Sequence, residues 1–115
     1  MFSGAPGTGS AWIMVIVAGL IEMAFAWSLK ESHGFTRLGP TLALFVVGAI
    51  SIFLLTVALR TLPISSAYAV WTGIGAAGTA ILGLVLFGES ANALKLLSIT
   101  AIVAGVIGLR LTGSE

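Results

Sequence analysis

An apolar run that contains a single carboxylate is the feature that most restricts how this chain can fold. Between Ala11 and Leu29, Glu22 is the only ionisable residue. If the run crosses a lipid bilayer as a helix, Glu22 lies near the bilayer centre, where a charged side chain costs at least about 2.5 kcal/mol. Such a residue is retained where it pairs with another group or takes part in function. Glu22 is therefore the first candidate functional residue.

Three more apolar runs follow, separated by short loops that contain charged residues, proline or glycine. Hydrophobic residues make up 58% of the chain and charged residues 8%, whereas a soluble globular protein carries about 25% charged residues. Because about 20 residues span a bilayer as a helix, the chain is predicted to be an all-α membrane protein with four transmembrane helices per subunit. The predicted helices occupy about residues 11–30, 38–59, 64–87 and 93–111.

The four helices form one predicted transmembrane domain, residues 11–112. The first ten residues are rich in glycine and serine and are predicted to form a disordered segment, 1–10, while 113–115 form a short tail. Because the sequence has no cysteine, it offers neither a disulfide framework nor a thiolate metal site. The net charge of +1 gives no basic patch for nucleic acid. We expect no cofactor and no metal.

Residues that share a helix face with Glu22 are candidates for a site around it. Gly19 and Phe25 lie one turn before and after Glu22 on the face that also holds Ala18, Ala26 and Leu29. The small residues one turn before the carboxylate allow another helix or a ligand to approach. Ser51 falls near the middle of the second run. Two interpretations of Ser51 remain open: its hydroxyl bonds back to its own helix, or it bonds to Glu22.

The third run places two aromatic side chains and a glycine on one face, because Tyr68, Trp71 and Gly75 are spaced at i, i+3 and i+7. Tyr68 also fits an interfacial aromatic belt, but Trp71 lies a turn deeper. The glycines of residues 73–78 indicate either close helix packing or a flexible kink. Enzyme activity is not expected, since no second buried acid and no nucleophile–base pair accompanies Glu22.

The fourth run carries overlapping pairs of small residues, which favour association with another helix. These pairs are Ala101 with Gly105 and Ala104 with Gly108. The basic residues are divided almost evenly between the two predicted membrane sides, so the positive-inside rule selects no orientation. One side carries Arg60 and Arg110, and the other Lys30, Arg37 and Lys95. Insertion in both orientations, giving an antiparallel dimer, is a hypothesis that follows.

Several ordered motifs resemble the small multidrug resistance family. They are Glu22 in the first helix, residues 34–38 with Pro40, and the segment Leu62-Pro63-Ile64-Ser65-Ser66-Ala67-Tyr68-Ala69-Val70-Trp71-Thr72-Gly73-Ile74-Gly75. The resemblance implies an antiparallel, dual-topology homodimer in the bacterial inner membrane. It also implies proton-coupled antiport, in which a glutamate of each subunit binds either protons or a small cationic substrate.

Residues 71–76 with Gly78, and 86–89, resemble the guanidinium-exporter branch of that family. Carried over by position, the resemblance assigns substrate and proton binding to Gly19, Glu22, Ser51, Tyr68 and Trp71. Phe25 stands where the exporter branch usually has tryptophan. Ser65-Ser66 and Ser90 are further departures from the branch pattern. Phe25 leaves two alternatives open: export of bulkier quaternary ammonium or alkylated cations, and a role as one subunit of a paired heterodimer.

A function of another class is a non-transporting membrane subunit whose Glu22 pairs with a basic residue of a larger complex. No lysine or arginine lies inside the apolar runs to pair with Glu22, so this alternative needs a cation from another chain. A pore is disfavoured, because one acidic ring without other polar lining makes no continuous aqueous path. Competition between a proton and a cation for Glu22 is the mechanism we expect.

Overall fold

The computed structural model describes residues 6–112, and this part of the chain forms helices joined by short loops. The helices are α1 (Thr8–Glu31), α2 (Leu38–Ala58), α3 (Ile64–Leu86) and α4 (Ala93–Thr112). Loop 1 denotes residues 32–37, loop 2 residues 59–63 and loop 3 residues 87–92. All four helices are long and apolar enough to cross a membrane, as the sequence predicts.

The helices lie side by side in a single layer. α1 packs between α2 and α3, and α4 packs on the far side of α3, while α2 and α3 contact each other much less. The molecule measures 43 × 37 × 16 Å, and a helix with its side chains is about 10–12 Å across. The protomer is therefore little more than one helix thick, and a site on its face has no second layer above it.

Packing is tightest at the end that contains loop 2 and the start of α1, which we call the packed end. The buried cluster there includes Ala11, Trp12, Val15, Ala18, Leu55, Ala58, Leu62, Ala67, Val70 and Trp71. All the buried residues of α1 precede Glu22. The hydroxyl of Thr61 donates to the carbonyl of Pro6, and the Arg110 guanidinium lies 4.9 Å from the centre of the Trp12 ring. The first contact joins loop 2 to the start of the described chain, and the second joins the end of α4 to the start of α1.

The opposite end, with loops 1 and 3, is more loosely packed, and we call it the open end. Two ion pairs lie there on the surface: Arg37 with Glu31 at 3.8 Å and Lys95 with Glu89 at 3.9 Å. The side chains of both pairs are substantially exposed, and such pairs contribute little stability. Glu22 lies between the packed end and the open end.

The first helix begins earlier than the sequence predicts. It starts at Thr8 rather than Ala11, and the amide of Ala11 donates to the carbonyl of Gly7 at 2.8 Å. Residues 8–10 are therefore helical, and for them the prediction of disorder is wrong. The glycine and serine content suggested a flexible segment, but the bond from Thr61 to Pro6 ties this segment to loop 2. Residues 1–5 and the predicted tail, 113–115, lie outside the described residues.

α4 differs from the other helices because none of its described residues is buried. It packs on α3 where Val106 lies against Gly73, at a point where an added Cβ would overlap the valine side chain. On its other surface, a Cβ added at Gly105 would meet open space. A single protomer thus leaves part of the predicted association seam uncovered.

Candidate functional site

A cleft of about 480 Å³ opens between α1 and α3. It is lined by Glu22, Phe25, Ala26, Leu29, Tyr68, Trp71, Thr72, Gly75, Ala76 and Thr79. Four of the six predicted site residues therefore meet at one place, two from each helix. The predicted stripe on α3 lines the same cleft, since Gly75 joins Tyr68 and Trp71 there.

Glu22 is the only ionisable acid among the cleft-lining residues, and it has no ion pair or side-chain hydrogen bond within residues 6–112. Gly75 makes room for it, because a Cβ added at Gly75 would lie 2.8 Å from Cγ of Glu22. A carboxylate in apolar surroundings is unfavourable unless it is neutralised. The cleft is therefore suited to a proton or a cationic ligand.

Two aromatic rings of α3 line the same cleft as Glu22. The ring centres of Tyr68 and Trp71 are 5.3 Å apart with a 60° angle between the planes. Trp71 is only 8% exposed and Tyr68 is 51% exposed, so Tyr68 lies where the cleft meets the outside. Ring faces attract cations within about 6 Å of their centres. Together with the carboxylate, the rings can hold a cation electrostatically.

Ser51 takes an arrangement that neither sequence interpretation describes. It is fully buried, its hydroxyl donates to the carbonyl of Ala18 at 2.8 Å, and it accepts a bond from Nε1 of Trp71 at 2.9 Å. Since a serine hydroxyl has one hydrogen, the bond to Ala18 leaves none to donate to Glu22. In an α-helix, the carbonyl of Ala18 is also the acceptor for the amide of Glu22. Ser51 thus links Trp71 to the backbone that carries Glu22.

Gly19 lies outside the cleft-lining residues. A Cβ added there would lie 2.9 Å from Cβ of Ile74 and 3.3 Å from the carbonyl oxygen of Trp71. This glycine therefore allows α3 to approach α1 just before the carboxylate. Of the two possibilities raised by the sequence, the approach of a helix is the one that the packing supports.

Phe25 lines the cleft and also reaches the α1–α2 contact. A Cβ added at Gly48 of α2 would lie 3.0 Å from Cδ1 of the Phe25 ring. The same ring borders an apolar groove of about 460 Å³ between α1 and α2. Phe25 therefore separates the Glu22 cleft from that groove with a hydrocarbon ring that has no hydrogen-bond donor.

Comparison with known proteins identifies the family. The sequence model described as "Small Multidrug Resistance protein" matches residues 10–102. The chain belongs to the small multidrug resistance family. It is 56% identical over 101 residues to a guanidinium exporter of Yersinia pseudotuberculosis serotype I (strain IP32953), covering 88% of this chain and 97% of the relative. It is 53% identical over 102 residues to a guanidinium exporter of Citrobacter freundii, covering 89% and 97%.

Membership in this family confirms the resemblance drawn from the motifs. With four helices that can span a membrane, the chain is a multi-pass protein of the bacterial inner membrane. Relatives named as exporters agree with the prediction that it is a transporter rather than an enzyme. The assignment of individual site residues stays a prediction, because the relatives' names carry no residue roles.

The glycines of α3 in this family member serve close packing in the structure. α3 is continuous from Ile64 to Leu86, and its glycines face different neighbours. A Cβ at Gly73 would overlap Val106 of α4, and one at Gly78 would overlap Met23 of α1. Gly75 faces Glu22. Of the two interpretations of this segment, packing is the one the geometry supports.

Five cleft residues are not among the predicted site residues: Ala26, Leu29, Thr72, Ala76 and Thr79. The three from α3 continue the stripe of Trp71 and Gly75 by one residue or one turn, so the helical period contains a signal for them. Ala26 and Leu29 continue the face of Glu22 in the same way. No group of potential metal ligands occurs among the described residues.

Proposed function

We propose that this protein exports guanidinium or an alkylguanidinium from the cell in exchange for protons. In this proposal the cation and the proton compete for Glu22, and Tyr68 and Trp71 provide ring contacts. The observation that carries the proposal is the cleft itself, which is lined by an unpaired carboxylate and two aromatic rings. The guanidinium-exporter relatives support the choice of cation.

Guanidinium fits this chemistry because it is planar and presents N–H groups that a carboxylate can accept in pairs. Its flat face can also stack on an aromatic ring. Neutralisation of Glu22 by a proton or by a cation removes the cost of a charge in apolar surroundings. Binding of both would leave a net positive charge there, so one displaces the other. Exposure of one such site alternately to each membrane side couples the two movements.

A second copy of the chain is part of the proposal. The protomer is 16 Å thick in its shortest dimension, so the Glu22 cleft on its face lacks a covering wall. A second, antiparallel copy would cover it and bring a second Glu22 to the same chamber. The near-even division of basic residues between the two predicted membrane sides is compatible with insertion in both orientations.

Export of quaternary ammonium cations is a second candidate, and Phe25 is the residue that favours it. The Phe25 side chain borders both the Glu22 cleft and the apolar α1–α2 groove. A hydrocarbon wall accepts alkyl groups and offers no N–H to a carboxylate. Phenylalanine at position 25, where the exporter branch usually has tryptophan, is also compatible with a subunit that works in a heterodimer.

The test is proton flux in liposomes that contain the purified protein, driven first by guanidinium and then by a tetraalkylammonium ion. We expect guanidinium to drive flux, and Glu22→Gln to abolish it, because the amide keeps the shape but neither takes up a proton nor carries a negative charge that neutralises a cation. Glu31→Gln is the matched control, since Glu31 lies in a separate groove lined by Trp27 and Pro40. This control should retain the flux.

Flux with tetraalkylammonium alone would favour the second candidate. If folded protein gives no flux with either cation, the proposal is wrong, and the heterodimer and the non-transporting subunit become the functions to examine. Flux that persists in Glu22→Gln would show that transport does not depend on the carboxylate in the cleft. That outcome would contradict the assignment of Glu22.

A further inference from the structure

A second, smaller chamber adjoins the Glu22 cleft at the open end. It has a volume of about 210 Å³ and is lined by residues of α1, α3 and loop 3. Ala26 and Thr79 line both the chamber and the cleft. The two spaces therefore meet at these side chains, one from α1 and one from α3. We call the smaller space the Glu89 chamber, after the carboxylate in its wall.

The turn after α3 places Glu89 in the chamber wall. Gly88 has φ +62°, a left-handed conformation that glycine adopts without strain. The chain turns back at this point, and the amide of Glu89 donates to the carbonyl of Gly83 at 3.1 Å. A Cβ added at Gly83 would lie 2.9 Å from Cδ of Glu89. The carboxyl group thus rests on α3 where that helix has no side chain.

The surroundings of Glu89 allow it to exchange partners. Its ion pair with Lys95 is long, at 3.9 Å, and half of the Glu89 side-chain surface is exposed. An exposed pair of this kind contributes little and is easily replaced. Lys30, the cation that lines the chamber itself, lies over the Phe87 ring with Nζ 5.5 Å from the ring centre. A small cation can therefore reach the carboxylate without displacing a buried partner.

We propose that the Glu89 chamber is a second, weaker binding site for the transported cation, through which it passes between the Glu22 cleft and the open end. This inference rests on the proposed function. Ala26 and Thr79 form the connection that the cation crosses. Because Lys30 and Lys95 oppose Glu89, the chamber holds a cation weakly, which suits a position that must load and release.

The experiment measures the initial rate of guanidinium-driven proton flux against guanidinium concentration for Glu89→Gln. We expect the half-saturating concentration to rise about threefold to fivefold, as for loss of one exposed charge interaction. The maximal rate should stay close to that of the unaltered protein, because the Glu22 site is intact. The assay runs at an ionic strength of about 0.15 M, which screens charges more than about 8 Å apart.

Two further variants separate local binding from surface charge. Glu31→Gln removes the same charge at the same end, but Glu31 does not line the Glu89 chamber. It lies in a neighbouring groove, and Trp27 is the residue that lines both spaces. This variant should leave the half-saturating concentration unchanged. Gly83→Ala keeps every charge but puts a methyl group where the Glu89 carboxyl group rests, and it should raise the half-saturating concentration as Glu89→Gln does. Gly39→Ala, with open space around the added Cβ, is its control.

Equal effects of Glu89→Gln and Glu31→Gln would overturn the inference, since surface potential would then explain both. So would an unchanged half-saturating concentration in Glu89→Gln, or a folded Gly83→Ala protein that behaves as the unaltered one. If Gly83→Ala does not fold, the two glutamate variants still decide. Absence of flux in the unaltered protein would instead contradict the proposed function, and the second site with it.

Discussion

The two ends of the molecule are built on different principles. At the packed end, Trp12, Val15 and Val70 are at most 1% exposed, and loop 2 is bonded to the start of the chain. At the open end, the two ion pairs of loops 1 and 3 are long and exposed, and two clefts lie between the helices. Glu22 lies between these regions. The comparison indicates that the helix arrangement is fixed mainly at the packed end, whereas the open end leaves space between the helices.

The substitution with the largest expected effect is next to Glu22, between the packed end and the open end. In Gly75→Ala the new Cβ would lie 2.8 Å from Cγ of Glu22, so the carboxylate must move. We expect guanidinium-driven flux to fall at least about tenfold, and unfolding free energy to fall by about 1–3 kcal/mol through overpacking. Flux in liposomes and unfolding in mixed detergent micelles measure the two effects.

Gly39→Ala is the control at the open end, where the added Cβ meets nothing within 4 Å. It should change neither flux nor stability appreciably. Equal loss of flux in the two variants would show that close packing around Glu22 is not the cause, and would contradict the contrast between that packing and the open end.

Ser51→Ala should have the next largest effect. It leaves Nε1 of Trp71 without its acceptor and removes the bond to the Ala18 carbonyl. A buried donor without a partner costs about 1–3 kcal/mol, so we expect unfolding free energy to fall by about that amount. Because Trp71 lines the cleft, the half-saturating guanidinium concentration should rise as well.

Ser98→Ala provides the comparison, since the exposed hydroxyl of Ser98 bonds only to Leu94 of its own helix in the recorded contacts, at 2.8 Å. We expect its stability and transport to match those of the unaltered protein. An equal fall in stability for both serines would show that burial does not distinguish them.

The smallest expected effect concerns the cation–ring contact at each end. Arg110 lies over the buried Trp12 ring, and Arg110→Gln should lower unfolding free energy by about 0.5–1 kcal/mol. Lys30 lies farther from the partly exposed Phe87 ring, at 5.5 Å, so Lys30→Gln should lower the unfolding free energy by less than Arg110→Gln does. A larger loss from Lys30→Gln would reverse the comparison of the two ends.

Much of the architecture follows from the sequence because lipid imposes simple rules. Charged and proline-containing segments interrupt the apolar runs, and three of the four predicted helices agree with the structure to within about one residue at each end. The stripe of Tyr68, Trp71 and Gly75 was predictable for the same reason, since helical period fixes which residues share a face. Only the start of α1 was placed too late.

The partners of Ser51 and Gly19 were not predictable in this way. Periodicity places each on a helix face, but the partner depends on how a neighbouring helix is rotated and how far it slides. Ser51 meets a carbonyl of α1 and an indole of α3, and a backbone acceptor leaves no mark in a sequence. The exposure of α4 was not predictable for a related reason. Its apolar residues are equally suited to contact lipid, another helix of the same chain or a second copy of the chain.

The single-layer arrangement has a consequence for how the sequence can change over evolutionary time. In a protomer only 16 Å thick, few side chains are buried away from both surfaces of the helix layer. Few positions can therefore change without altering a surface that contacts lipid, substrate or another helix. If two antiparallel copies of one sequence form both walls of a chamber, each substitution appears in both walls. The substituted residue then has a different orientation to the membrane in each copy. Gene duplication would remove this restriction, because each of the two resulting subunits could then adapt to one orientation in the membrane.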